Sequence, residues 1–178
     1  LSFILSISKK LNLKNKIIIK TINDFKSLKF RQEVIYNSDK LTCINDSKST
    51  SFASSINALR SLQRVFWIVG GIPKLGDDFI LNKKQCKNIY AYIFGKNKNF
   101  FIKKFRNKLL FYSFKDLKSA IKQILIDIKI KNKNDLQKTI LFSPSAASFD
   151  NFKNFEARGK FFNFLLKKYK VKKILNDI

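Results

Sequence analysis

The chain has 178 residues, with 37 Lys and Arg against 12 Asp and Glu, a formal net charge of +25 and no histidine. The missing histidine excludes Ser-His and Cys-His catalysis and the usual zinc sites. Charge of this size ordinarily marks a nucleic-acid or anionic-membrane partner, but only five of the 37 basic residues are arginine, and the lysines are spread along the whole chain beside abundant Ile, Asn and Phe, residue types that share A/T-rich codons.

Residues 1 to 29 carry two helical patterns, one through Ile4, Leu5, Ser8 and Leu11, the other through Ile18, Ile22, Phe25 and Leu28. The first begins in mid-pattern without a cap, so the chain is expected to be the C-terminal part of something longer. Lys9 and Lys10 interrupt the apolar start far short of the ~20 residues of a membrane span, and no small-residue cleavage site follows it. Residues 34 to 44 alternate towards a strand ending at Cys43-Ile44. Ser51 or Thr50 then caps a helix through Phe52, Ile56 and Leu59. Cys43 and Cys86 lack any C-x-x-C partner, imply neither a zinc site nor a disulfide framework, and suit a reducing cytoplasm.

Val65 to Val69 is apolar throughout, as in a parallel strand buried on both faces. Gly70-Gly71 ends it, and Lys74 follows near the strand's carboxyl end, where ligands collect in open α/β sheets. The rhythm continues with a strand at 89–94, a helix near 100–105, a strand at 109–112 and a helix over 116–128 with a one-sided apolar stripe. Residues 129–138 form a charged connection to a strand at 139–142. Alternating strands and helices predict an α/β fold, a Rossmann-like, mostly parallel sheet with helices on both faces. No GxGxxG fingerprint is present, so a tightly held dinucleotide is not indicated.

The stretch Leu141 to Lys160, LFSPSAASFDNFKNFEARGK, changes character three times. Ser143-Pro144-Ser145 breaks the strand. Ala146, Ala147 and Ser148 are small enough for a ligand to approach the backbone, and Asp150 or Asn151 is expected to cap a helix with apolar positions at Phe155, Phe162 and Leu166. A strand, a polar turn and a helix N-terminus form an anion-binding corner.

SPSAASFDNFKNFEARG resembles the C-terminal signature of the Mur ligases, and among them the D-glutamate-adding branch, whose pattern is close to LSPACASFDQFKNFEQRG. Two further stretches follow that family's order. Asn45-Asp46-Ser47-Lys48-Ser49-Thr50 resembles NDSKATN, and Gly70-Gly71-Ile72-Pro73-Lys74 resembles GG-x-x-K. Upstream, Leu28-Lys29-Phe30-Arg31-Gln32-Glu33 resembles L-P-H-R-x-E, with Phe30 in place of the usual histidine.

The resemblance implies that residues 1–39 are the tail of a central ATP-binding domain and residues 40–178 a D-glutamate-binding C-terminal domain. It implies ATP contacts from Arg31, Asp46 and Lys48, with Lys48 near the phosphates as the catalytic residue. It implies D-glutamate contacts from Thr50, Lys74, Ser148, Phe149 and Phe155, Ser148 and local backbone N–H groups holding a carboxylate. ATP and Mg²⁺ are the implied cofactors, the latter held mainly by upstream residues, since no G-x-x-x-x-G-K-[ST] loop occurs here. UDP-N-acetylmuramoyl-L-alanine and D-glutamate are the implied substrates of a cytoplasmic, monomeric enzyme of peptidoglycan biosynthesis without nucleic-acid or membrane partner. Another amino-acid-adding Mur ligase and a basic nucleic-acid-binding module are the alternatives. Lysines scattered over every face would count against the second, and a continuous basic groove lined with exposed aromatics would favour it.

Overall fold

The computed structural model describes residues 2–24, 28–130 and 137–171. In chain order it contains α1 (Ser2–Lys10), α2 (Asn15–Asp24), β1 (Glu33–Asn37), β2 (Leu41–Asn45), α3 (Phe52–Ser61) and β3 (Val65–Val69). After these come β4 (Ile89–Phe94), α4 (Lys98–Phe105), β5 (Leu110–Phe114), α5 (Leu117–Ile130), β6 (Lys138–Phe142) and α6 (Phe155–Lys168). The strands form one six-stranded sheet in the order β1-β2-β6-β3-β4-β5, parallel except for the β1–β2 pair.

β3 and β6 are buried along their full length, because a central parallel strand is covered on both faces. Alternate residues divide the core. Leu41, Cys43, Phe66, Ile68, Tyr92 and Ile140 pack under α5 and α6. Ile44, Val65, Trp67, Ala91 and Leu141 pack under α3 and α4, where Phe52, Phe79, Phe101 and Phe105 surround Trp67. Both cysteines are free and buried, and burial pushes the Cys43 thiol up to about 12.

The expected single strand over 34–44 is a hairpin. Asn37, Ser38 and Asp39 are turn formers, and the Leu41 N–H donates to the Ser38 hydroxyl (3.2 Å) while Thr42 Oγ1 donates to Asn37 Oδ1 (2.7 Å). The sheet therefore begins at Glu33, and position 39/40 lies in the hairpin turn. The expected cap of the last helix is also corrected. Asn154 accepts from the Ala157 N–H (2.8 Å) as the N-cap of α6, whereas Asn151 and Phe152 donate to the Ser148 carbonyl in a preceding turn. Ser51 caps α3 with a reciprocal Ser54 bond, as its position predicts. Of the second helical pattern, Phe25 lies outside the described residues, and α2 ends at Asp24.

α1 and α2 enclose an apolar cavity of about 470 Å³ between Ile4, Ser8, Leu13, Ile18 and Ile22. Outside it, Phe3 and Leu11 are 75% and 64% exposed. Exposed lysines occur on helices of both sheet faces, Lys103 on α4, Lys118 and Lys122 on α5, Lys160 and Lys167 on α6. Among the described residues no helix is long and apolar enough to cross a membrane.

Candidate functional site

The chain leaves β2 for α3 on one face and leaves β6 for α6 on the other. These two strands are neighbours, so a crevice opens between their carboxyl ends, the switch point at which open α/β sheets take ligands.

Three strand exits are tied together at that crevice. From the end of β2, Asn45 Nδ2 donates to the Gly159 carbonyl (3.0 Å) and to Asn163 Oδ1 (2.7 Å) of α6. Arg158 is fully buried beneath the loops, donating from Nε to Ser47 Oγ (3.1 Å), from Nη1 to the Ala146 carbonyl (2.9 Å) and from Nη2 to the Ser47 carbonyl (2.7 Å). Its desolvation lowers the guanidinium pKa to about 10, opposed by the charge of Asp150. The exit of β3 joins through reciprocal backbone bonds of 2.9 Å between Ile72 and Ala147. A Cβ on Gly71, at φ +132°, would lie 2.3 Å from the Ala147 carbonyl oxygen, so only glycine permits this approach.

A cleft of about 620 Å³ opens over the end of β2, lined by Leu28, Arg31, Gln32, Asp46, Lys48, Ser49 and Ser54. Asp46 is 6% exposed. Its Oδ1 accepts from the Gln32 N–H (3.2 Å) and its Oδ2 from the Ser143 hydroxyl (2.8 Å). Burial pushes its carboxyl above the ordinary aspartate range, against the pull of those two donors and of Arg31. Lys48 Nζ stands 3.8 Å from the centre of the Phe155 ring, a cation–π contact that orients the ammonium.

Phe30 shapes the far wall. It adopts φ +63°, its carbonyl accepts from the Lys48 N–H (3.0 Å) and its N–H donates to the Glu33 carboxylate (3.0 Å). Its buried ring lies against Gly159, where a Cβ would stand 2.4 Å from a ring carbon. The aromatic ring thus packs the β1 approach onto α6 and sets the path of Arg31.

Of the remaining candidates, Thr50 and Lys74 are exposed, Ser148 is buried, Phe149 is 71% exposed and Phe155 is half-buried. Thr50, Lys74, Ser148 and Phe149 do not line the cleft around Asp46. The Ile72–Ala147 bridge sets the Lys74 loop beside the Ser148 loop, and the Phe52 N–H donates to Asp77 (2.6 Å), which brings the 74–77 turn to the start of α3 near Thr50. The Ala147 N–H, one of the local donors expected for a carboxylate, is committed to Ile72 instead.

No family model matches the chain. Curated proteins named UDP-N-acetylmuramoylalanine--D-glutamate ligase do. The one from Rickettsia felis is 32% identical over 167 residues, covering 92% of this chain and 36% of that protein. The one from Prochlorococcus marinus is 36% identical over 171 residues, 92% of this chain and 35% of that protein. A third, from a Hydrogenobaculum species, is 35% identical over 153 residues, 85% of this chain and 36% of that protein. The chain is a homologue of the Mur ligases. It spans about a third of the length of the curated relatives it matches, and its six-stranded, mostly parallel sheet accords with a Mur ligase C-terminal domain.

In this Mur ligase homologue the structure brings Arg31, Asp46 and Lys48 to one cleft, with Phe155 under Lys48. Arg158, Asn45 and the buried serines behind Asp46 escape a reading by residue type, because nothing local marks a surface-type residue as buried. The signal for Arg158 is its place in FEARG, between the apolar helix positions Phe155 and Phe162. A larger cavity of about 810 Å³, with Lys83, Lys84, Lys87 and Lys108 on its walls, lies at the opposite end of the sheet, where β4 and β5 begin. We assign the site to the smaller cleft, because the strand carboxyl ends and the paired polar groups meet there.

Proposed function

We propose that the chain supplies the D-glutamate side of an ATP-dependent ligase that extends UDP-N-acetylmuramoyl-L-alanine in peptidoglycan biosynthesis. The substrate carboxylate attacks the γ-phosphorus of ATP, giving an acyl phosphate and ADP. The D-glutamate amine then attacks the acyl carbon, the carbon–oxygen bond to phosphate breaks, and the amine loses a proton as the amide forms. The contribution of this chain is positioning and charge: Lys48 and Arg31 face the nucleotide phosphates, Asp46 meets the ribose, and Thr50, Lys74, Ser148, Phe149 and Phe155 take the amino acid.

The observation that carries this reading is the convergence of Arg31, Asp46 and Lys48 on one crevice. Among the described residues no group of three or more acidic or thiol side chains gathers to hold a metal, so Mg²⁺ is assigned to the rest of the enzyme and no step is derived through it here. We read residues 1–39 as the end of the ATP-binding domain, and the exposed apolar side chains of α1 and α2 suit a surface covered by more protein. Lysines on both faces of the sheet speak against a single nucleic-acid groove.

The test joins this chain to the upstream two thirds of a relative and measures phosphate release. Release should require ATP, UDP-N-acetylmuramoyl-L-alanine and D-glutamate together, and should be lost in Lys48→Ala. Equal turnover with L-lysine in place of D-glutamate would overturn the assignment of the amino acid.

A further inference from the structure

Behind the cleft, Asp46 ends a connected set of serine hydroxyls. Ser143 Oγ lies 2.8 Å from Asp46 Oδ2 and 2.6 Å from Ser55 Oγ. Ser55 Oγ also lies 2.6 Å from Ser145 Oγ and 2.6 Å from Ser49 Oγ. Ser49 Oγ continues to Ser54 Oγ at 2.8 Å, and Ser54 Oγ to the Ser51 carbonyl at 2.6 Å. Each hydroxyl owns one hydrogen, and a carboxylate or a carbonyl owns none. Five hydroxyls must therefore fill six oxygen–oxygen hydrogen bonds. A path of hydroxyls that ends on an acceptor-only group at both ends is always one hydrogen short, whichever way its members rotate.

We propose that the missing hydrogen is a proton held on Asp46, and that Asp46 with Ser143, Ser55, Ser49 and Ser54 forms a proton-holding chain whose hydrogen-bond direction is set by that proton. With Asp46 protonated, every link runs outward, from Asp46 to Ser143, Ser55, Ser49 and Ser54, and Ser54 donates to the Ser51 carbonyl. With Asp46 ionised, the links run inward, Ser54 turns its hydrogen to Ser49, and the Ser51 carbonyl is left to accept from a donor in the cleft. The rim of the cleft thus changes from self-satisfied to donor-seeking as the proton leaves.

Burial of Asp46 acts in the same direction as the hydrogen count. Arg31, facing it from the approach to β1, opposes protonation, as does Lys48 on the same cleft. The other charged groups nearby are engaged elsewhere, Glu33 with the Phe30 N–H, Asp77 with the Phe52 N–H at the start of α3, and Arg158 of α6 with Ser47 and Ala146. The loop after β6 contributes only uncharged side chains from Ser143 to Phe149.

The test is a pH titration of the Asp46 carboxyl carbon by ¹³C NMR in the 178-residue chain, the resonance assigned by its loss in Asp46→Asn. Asp46 should titrate above the ordinary aspartate value of about 3.9. Removing Ser55 or Ser49 cuts the path between the two acceptor-only ends and removes the deficit, so Ser55→Ala and Ser49→Ala should each shift the titration downward, although neither touches Asp46. Ser145 is a side branch, and Ser145→Ala leaves the deficit in place, so it should cause no shift. A wild-type titration at or below the ordinary value overturns the proposal. So does an elevated one that Ser55→Ala and Ser49→Ala leave unchanged, since burial alone would then explain it. None of these readouts depends on ligase activity.

Discussion

Arg158 joins the strand exits, and replacing it tests whether the crevice depends on one buried cation. Arg158→Met keeps much of the aliphatic stem and removes three donors, leaving the Ser47 carbonyl, the Ala146 carbonyl and the Ser47 hydroxyl short of the bonds they now accept. A buried polar group stripped of its partner costs about 1–3 kcal/mol. Part of that loss is offset because the fully buried guanidinium is itself held at a desolvation cost. A net loss of about 3–5 kcal/mol is expected, the range found when one partner of a buried charged interaction is removed. With a urea slope of about 2 kcal/mol per molar, the unfolding midpoint should fall by about 2 M. Arg158→Lys should recover less than half of this, because an ammonium cannot span three acceptors held in a planar fork. Hydrogen exchange supplies the local readout: the Ile72 and Ala147 amides, paired with each other across two loops, should lose protection beyond the global change. A midpoint within about 0.5 M of wild type, corresponding to only about 1 kcal/mol, would mean that the crevice does not depend on the buried fork.

Gly159→Ala should destabilise the protein by about 1–3 kcal/mol through overpacking against Phe30, despite the ~1 kcal/mol that alanine ordinarily gains in a helix; in a Phe30→Ala background the same change should become neutral or stabilising, as urea melts would read. In the joined enzyme, Lys74→Ala should raise the KM for D-glutamate far more than that for ATP, and equal effects in steady-state kinetics would remove Lys74 from the amino-acid site. Asp116 accepts from the Ser119 N–H (2.8 Å) at the start of α5, which lowers its pKa. A carboxylate depressed in the fold stabilises it above the unfolded value of about 3.9, and that contribution is lost as pH falls through the folded value. Asp116→Ala should accordingly cost about 1 kcal/mol at pH 7, and thermal melts of the two proteins should converge under acid.

The sheet is legible in the sequence where periodicity reports burial. Val65–Val69 and residues 139–142 read as buried strands because a short apolar run bounded by Gly or Pro suits a strand covered on both faces, and α5 reads as a helix because its stripe repeats at helical spacing. The hairpin over 33–45 reads as one strand because Ser38 and Asp39 are weak turn signals inside an alternating pattern. The site motifs, NDSK, GG-x-x-K and SPSAASFDNFKNFEARG, can be read as strings, and the fold brings the first and last together across the β2–β6 neighbour pair.

Local periodicity and backbone chemistry are enough to set the α/β class, the exits at which each strand stops, and the residue types at those exits. Tertiary packing was needed to bury Arg158 under three carbonyl and hydroxyl acceptors, to press Phe30 onto Gly159, and to join five serines and Asp46 in one hydrogen-bonded network. Arg158 and Ser47 stand 111 positions apart in the chain, beyond the reach of any local pattern, because a hydrogen bond or a van der Waals contact depends on distance in space, and that distance is set by strand order.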